Sequence, residues 1–156
     1  MSDSYDYDND YPAYGPFSPP KWSTLSVAIS RPLLGPHYQW SFTIHNEESD
    51  TWRTFEAVQD IQNGRWGLNV HHYNPMHDPN YIATAVVRRI EASYFLYLQE
   101  ICRELSLPNV LTENEPYTSE AYVDDILNSL WSKGIIDTDV WDDVKDVLFA
   151  YSGITE

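Results

Sequence analysis

Basic residues are scarce in this chain, which has 9 Lys and Arg against 24 Asp and Glu and a formal net charge of -15 at pH 7. An excess of negative charge of this size repels phosphate backbones and anionic lipid headgroups. Nucleic acid and membrane surfaces are therefore not expected as partners of this protein.

Cysteine and long apolar runs are also rare. The one cysteine, Cys102, cannot form a disulfide within the chain, and no apolar run is long enough to span a bilayer. The first ten residues lack the basic and apolar regions of a signal peptide. Together these absences predict a cytoplasmic protein.

Aromatic residues are abundant, at 15% of 156 residues, and a chain of this length can bury one sizeable core. Residues 1–20 contain four Asp and four Pro but almost no aliphatic side chains. Such a composition buries too little surface to offset chain entropy, so we predict a mobile acidic and aromatic tail. Its four tyrosines leave open a second interpretation, in which the tail lies along a groove as a lid. Residues 21–156 are predicted to form a single domain.

The clearest strand pattern lies in residues 37–45, where Tyr38, Trp40, Phe42 and Ile44 alternate with polar residues. This alternation is typical of a half-buried strand, and we expect it inside a sheet. Four further segments have alternating, β-branched or aromatic patterns bounded by turn residues: 25–30, 51–58, 66–73 and 81–90. The order of the segments predicts a mostly antiparallel meander of about five strands.

The apolar spacing changes after residue 90 to that of helices. Three helices are predicted, over residues 91–105, from Thr118 to Gly134, and from Thr138 to Gly153. The predicted apolar stripe of the second contains Tyr122, Val123, Ile126, Leu127, Leu130 and Trp131, and that of the third contains Val140, Trp141, Val144, Val147, Leu148 and Tyr151. Strands followed by helices indicate an α+β fold in which three helices pack on the sheet.

Four short motifs occur in a recognisable order along the chain. They are Gln39-Trp40-Ser41-Phe42 on the central strand, Ser106-Leu107-Pro108 after the first helix, Thr118 to Val123 at the start of the second helix, and Gly134-Ile135-Ile136 after it. In order and spacing, roughly over residues 37–150, the chain resembles a group of small fungal proteins. Those proteins resemble circularly permuted papain-like folds, in which the catalytic His precedes the Cys.

The resemblance also implies that the hydrolytic residues are replaced. The family's nucleophilic Cys falls on Ser119 and its His falls on Gln39, so the thiolate and the imidazole base are both missing. His37, two residues before Gln39, is the one nearby imidazole that could act as a base. Without a base Ser119 is an ordinary alcohol, and we interpret it as the N-cap of the second helix.

A ligand site is predicted where the central strand meets the second helix. The polar row Gln39, Ser41 and Thr43 on the strand, with Ser119 and Tyr122 on the helix, would line a cleft that a ligand or water can enter. The alternative is that the polar row faces solvent and forms no site.

No metal or other cofactor is expected. His71, His72, His77 and Asp78 are close in sequence, but adjacent strand residues point to opposite faces, so His71 and His72 cannot easily share an ion. Cys102 lies in an apolar helical stripe, which favours a buried structural thiol.

Three functional hypotheses remain open. The first is a degenerate papain-like scaffold that binds a small, largely apolar molecule, as a binding protein or as a non-hydrolytic enzyme of fungal secondary metabolism that catalyses a cyclisation or rearrangement. The second is a protein-interaction module that uses its acidic surface and aromatic tail. The third is a hydrolase or acyltransferase with Ser119 as its nucleophile. The oligomeric state is not predicted.

Overall fold

The computed structural model describes residues 21–32, 35–108 and 117–153. The tail predicted over residues 1–20 lies outside the described residues. In chain order the strands are β1 (Trp22–Ser30), β2 (Gln39–Asn46), β3 (Thr51–Gln59), β4 (Trp66–His71) and β5 (Tyr81–Glu91), and the helices are α1 (Phe95–Glu104), α2 (Ser119–Ser132) and α3 (Thr138–Leu148). The predicted α+β class, with a five-stranded antiparallel sheet followed by three helices, is confirmed.

The strand order is β4-β3-β2-β1-β5, which corrects the predicted meander. The first four strands do follow one another as neighbours, but β5 crosses back to pair with β1. The connection between β4 and β5 contains the 3-10 turn Pro75–His77, and the Arg31 backbone N–H donates to the Asn80 carbonyl at 2.9 Å. A segment of this length can return to the free edge of β1, whereas a two-residue hairpin could not.

The central position predicted for the Trp40 strand is confirmed, because β2 pairs with β1 on one side and with β3 on the other. Val27, Phe42 and Phe55 lie directly opposite one another on three adjacent strands and are all fully buried. α2 packs across β2 and β3, and α3 packs on β5. The helices therefore cover the sheet face that carries the large apolar side chains.

The helix ends also follow from local chemistry. α2 stops before Gly134, whose φ of 76° is left-handed and suits glycine, as predicted. Asp137 caps α3 by accepting from the Val140 N–H at 2.9 Å. Within the described ranges, the helices are too short or too polar to cross a membrane.

Candidate functional site

Ser119 is the first residue of α2 and is almost completely buried. The N-cap is Thr118, whose hydroxyl accepts from the Ala121 N–H at 3.2 Å, so the hypothesis that Ser119 caps the helix is wrong. The Ser119 hydroxyl instead accepts from the Trp40 N–H at 2.9 Å and donates to the Tyr38 carbonyl at 3.4 Å. Its hydrogen bonds join α2 to the central strand.

This contact is possible because β2 and β3 separate near one end. Their pairing stops at Phe42 and Phe55, and beyond that point the side chain of Gln39 supplies bonds toward β3. Its amide nitrogen donates to the Ala57 carbonyl and to Glu56 Oε2, both at 3.1 Å. Ser119 bonds the backbone on both sides of Gln39, but the Gln39 amide is directed at β3.

His37 is not joined to Ser119 by a hydrogen bond in the described part of the chain. Its Nδ1 donates to the Gly153 carbonyl at 3.0 Å, because a carbonyl oxygen can only accept. No imidazole or carboxylate of the described residues is in hydrogen-bond contact with the Ser119 hydroxyl. The arrangement lacks the base that a serine nucleophile needs.

Tyr122 is fully buried, and its hydroxyl donates to the Cys102 carbonyl at 2.7 Å. Burial raises the pKa of the Tyr122 hydroxyl and of the Cys102 thiol well above their ordinary values. Both groups stay neutral at physiological pH, and the hydrogen bond of the Tyr122 hydroxyl joins α2 to α1.

The sheet divides the five predicted ligand-binding residues between its two faces. Gln39, Ser41 and Thr43 alternate with Trp40 and Phe42, so they lie on the face opposite the helices. Ser119 and Tyr122 lie on the helix side. The described residues therefore do not form the single cleft that these five were expected to line.

The face opposite the helices carries a polar row that crosses four strands. Ser26, Thr43, Thr54 and His71 stand directly opposite one another in register, and the Thr43 and Thr54 hydroxyls share a hydrogen bond at 3.2 Å. We call this side of the sheet the polar face. Ser26, Thr43 and Thr54 are buried, so this row forms a small-residue floor rather than a solvated surface.

Glu56 and His71 form the chemically distinctive pair on the polar face. His71 Nε2 lies 2.6 Å from Glu56 Oε1, while Gln39 donates to the other carboxylate oxygen. The side chains of Glu56 and His71 are 13% and 29% exposed. The Glu56 carboxylate therefore orients an imidazole that is partly exposed to solvent.

The Glu56 contact also selects the form of the neutral imidazole. A carboxylate can only accept, so Nε2 carries the proton and Nδ1 keeps a free lone pair. No residue of the described ranges bonds Nδ1. The ring of Tyr73 lies beside His71, 5.2 Å between centroids, and burial together with the Asp78 and Glu56 charges raises the pKa of the Tyr73 hydroxyl.

An aromatic pair lies next to this site on the polar face. The His45 and Trp52 rings stack with centroids 3.8 Å apart, and both side chains hydrogen-bond Asp50 Oδ1. Trp52 precedes Thr54 by two strand positions, so its ring lies on the same face as Thr54 and Glu56. The polar floor is thus bordered by apolar ring surface.

The sequence patterns did not single out Glu56, and His71 was considered as a metal ligand but not as the partner of a carboxylate. The sequence nevertheless contains a turn from which the proximity of Glu56 and His71 could have been predicted. If the Asn63-Gly64 turn fixes the register of β3 and β4, Thr54 falls opposite His71 and Glu56 lies one diagonal step away. Within the described residues, no group of three His, Cys, Asp or Glu side chains could hold a metal ion.

Comparisons with protein-family models, curated proteins and solved structures found no match for this chain.

Proposed function

We propose that this protein binds a small, largely apolar molecule over the polar face and moves a proton at it in a non-hydrolytic cyclisation or rearrangement. The observation that carries the proposal is the 2.6 Å contact between His71 Nε2 and Glu56 Oε1. A carboxylate that fixes one imidazole nitrogen makes the other a positioned proton acceptor, which is the usual arrangement of a histidine general base.

The surroundings of the pair suit a molecule with an apolar body and one hydrogen-bonding group. The stacked Trp52 ring and Tyr73 offer aromatic surface, while His71 offers one oriented hydrogen-bonding atom, Nδ1. Small-molecule sites commonly combine apolar walls with a small number of placed polar atoms. His71 Nδ1 would accept the ligand's proton or hydrogen bond.

Hydrolysis through Ser119 is disfavoured by the bonds of its hydroxyl. The oxygen accepts from the Trp40 N–H and donates its proton to the Tyr38 carbonyl, so neither a base nor a substrate has access to that proton. This geometry fits the replaced nucleophile and base that the papain-like resemblance implies. It favours a papain-like scaffold in which any reaction takes place at a site other than Ser119.

The test is a ligand-observed NMR screen of apolar ring compounds that each carry one carbonyl or hydroxyl group. We expect His71→Gln and Glu56→Gln to weaken the best compound by about tenfold or more, which corresponds to about 1.4 kcal/mol. His72→Gln is the matched control, since His72 is the exposed neighbour of His71 at the end of β4.

Equal affinities for His71→Gln and His72→Gln would contradict the proposal. Covalent labelling of the wild type by a fluorophosphonate, abolished in Ser119→Ala, would instead favour the serine hydrolase. A compound that the wild type converts should no longer be converted by His71→Gln.

A further inference from the structure

An open groove lies beside α3 at the outer edge of β5, at the opposite end of the sheet from His71. Its volume is about 360 Å³. Four consecutive strand residues, Thr84 to Val87, and four helix residues, Val140, Asp143, Val144 and Val147, line it. Val86 is 63% exposed and Val147 is 56% exposed, although Val147 was predicted on the buried face of its helix. Val147 lines the groove from α3, whereas Val86 lies opposite Ser26 and so points to the polar side of β5. Two exposed valines on the two sides of one strand edge suggest that a partner added along that edge covers both.

The backbone at the outer edge of β5 offers a second binding element. In the described part of the chain β5 pairs only with β1, so the other edge of this eleven-residue strand has no strand partner. Two backbone groups of β5 bond elsewhere: the Tyr81 N–H donates to the Asp78 carbonyl, and the Arg89 carbonyl accepts from Arg88 Nε. The first seven residues of β5, Tyr81 to Val87, contain no charged side chain. Natural sheets usually protect a long edge with charge, proline or a covering segment.

The other edge of the sheet shows such protection. At β4 the Trp66 backbone N–H donates to the Pro108 carbonyl at 3.3 Å, and the Trp66 ring packs against Tyr117, with centroids 5.2 Å apart. At β5 the open edge lies beside an apolar groove.

The charge beside the groove indicates what kind of partner fits. Asp139, Asp143 and Asp146 are exposed on α3 and flank the valines that line the groove. None of the three forms a salt bridge with a described residue. The one lysine of α3, Lys145, pairs with Asp124 of α2 instead. A row of uncompensated carboxylates attracts lysine and arginine.

The same charge argues against a second copy of this chain as the occupant. Edge-to-edge pairing of two β5 strands would bring together two chains of formal charge -15 and place their α3 carboxylates near each other. Like charges across an interface oppose association.

We propose that the outer edge of β5, together with α3, binds an extended basic segment of a partner protein as a sixth strand. Main-chain hydrogen bonds to β5 would supply affinity. Apolar side chains of the segment would cover Val86 and Val147, and its Lys or Arg side chains would reach Asp143 and its neighbours. This surface is independent of His71, so the inference stands apart from the proposed ligand site.

The test measures fluorescence anisotropy of a labelled peptide, Lys-Val-Lys-Val-Lys-Val-Lys, with the full chain at low salt. Two control peptides separate the contributions: one has Glu in place of Lys, and one has Pro in place of the central Val. We expect both controls to bind at least about tenfold more weakly, because the first reverses the charge and the second cannot pair as a strand.

Protein variants locate the site. Asp143→Asn should weaken the peptide about threefold or more, whereas Asp142→Asn, on the same helix but outside the groove lining, should leave binding unchanged. Amide NMR shifts on peptide addition should concentrate at β5. Absence of binding, equal binding of the proline peptide, or equal loss in Asp142→Asn and Asp143→Asn would overturn the proposal. Concentration-dependent dimers abolished by Val147→Asp would show that a second copy occupies the edge instead.

Discussion

The Ser119 hydroxyl accepts a hydrogen bond from the backbone N–H of Trp40 at 2.9 Å, which ties the start of α2 to the central strand. In Ser119→Ala this buried N–H would lose its acceptor. We expect the free energy of unfolding to fall by about 1 to 3 kcal/mol, the usual cost of an unsatisfied buried donor. Denaturant unfolding measures it, and an unchanged midpoint would show that the bond contributes nothing.

Trp40 should be one of the most important residues for stability. Its side chain is 2% exposed, and its Nε1 donates to the Tyr151 carbonyl at 3.3 Å. Trp40→Ala is expected to lower the free energy of unfolding by about 3 to 5 kcal/mol. Trp131→Ala serves as the control and should cost less, since Trp131 is 42% exposed although the helical pattern predicted it within the buried stripe. Comparable losses in the two variants would contradict the assignment of the core.

Glu47 should account for part of the decrease in folding stability at acidic pH. Hydrogen bonds from Arg89, at 2.8 and 3.0 Å, and from Thr24 lower the pKa of Glu47 from 4.5 to about 2. Because the folded-state pKa is the lower one, this stabilisation is present above about pH 4.5 and is lost as the pH falls toward 2.

The melting temperatures of the wild type and Glu47→Gln should therefore differ near neutral pH and converge as the pH drops below 4.5. Glu48→Gln is a control whose effect should be smaller, because Glu48 pairs with Lys21 through two well-exposed side chains. A difference between wild type and Glu47→Gln that stays constant down to pH 2 would contradict this explanation.

Cys102 should be unreactive in the folded protein. It is 1% exposed, and burial raises the pKa of its thiol, so very little thiolate is present at neutral pH. We expect Ellman's reagent to modify it only as fast as the chain opens, and at once in guanidinium chloride. Rapid stoichiometric reaction of the native protein would mean that the packing of α1 does not bury the Cys102 thiol.

The strands and helices could be predicted because their apolar patterns repeat at clear intervals. The alternation around Trp40 and Phe42 identified β2, and the stripe from Tyr122 to Leu130 identified α2. The crossing of β5 to β1 could not be predicted in the same way. Periodicity describes which face of a strand is buried but not which neighbour pairs with its edge.

The candidate site was harder to predict than the fold. The residues of the motifs were assigned to one cleft, but the alternation of β2 places Ser41 and Thr43 on the face away from Ser119. The pair Glu56 and His71 depends on the register between β3 and β4, which a single strand pattern does not reveal. A site whose residues come from different strands can be identified only when the pairing and register of those strands are known.

The most direct test of the proposed ligand site is a map of backbone amide shifts as the wild type is saturated with the best compound from the screen. The account predicts that the largest changes occur at Thr43, Thr54, Glu56 and His71, and that they disappear in His71→Gln but persist in His72→Gln. Changes centred on Ser119 and Tyr122, with the polar face unaffected, would contradict it.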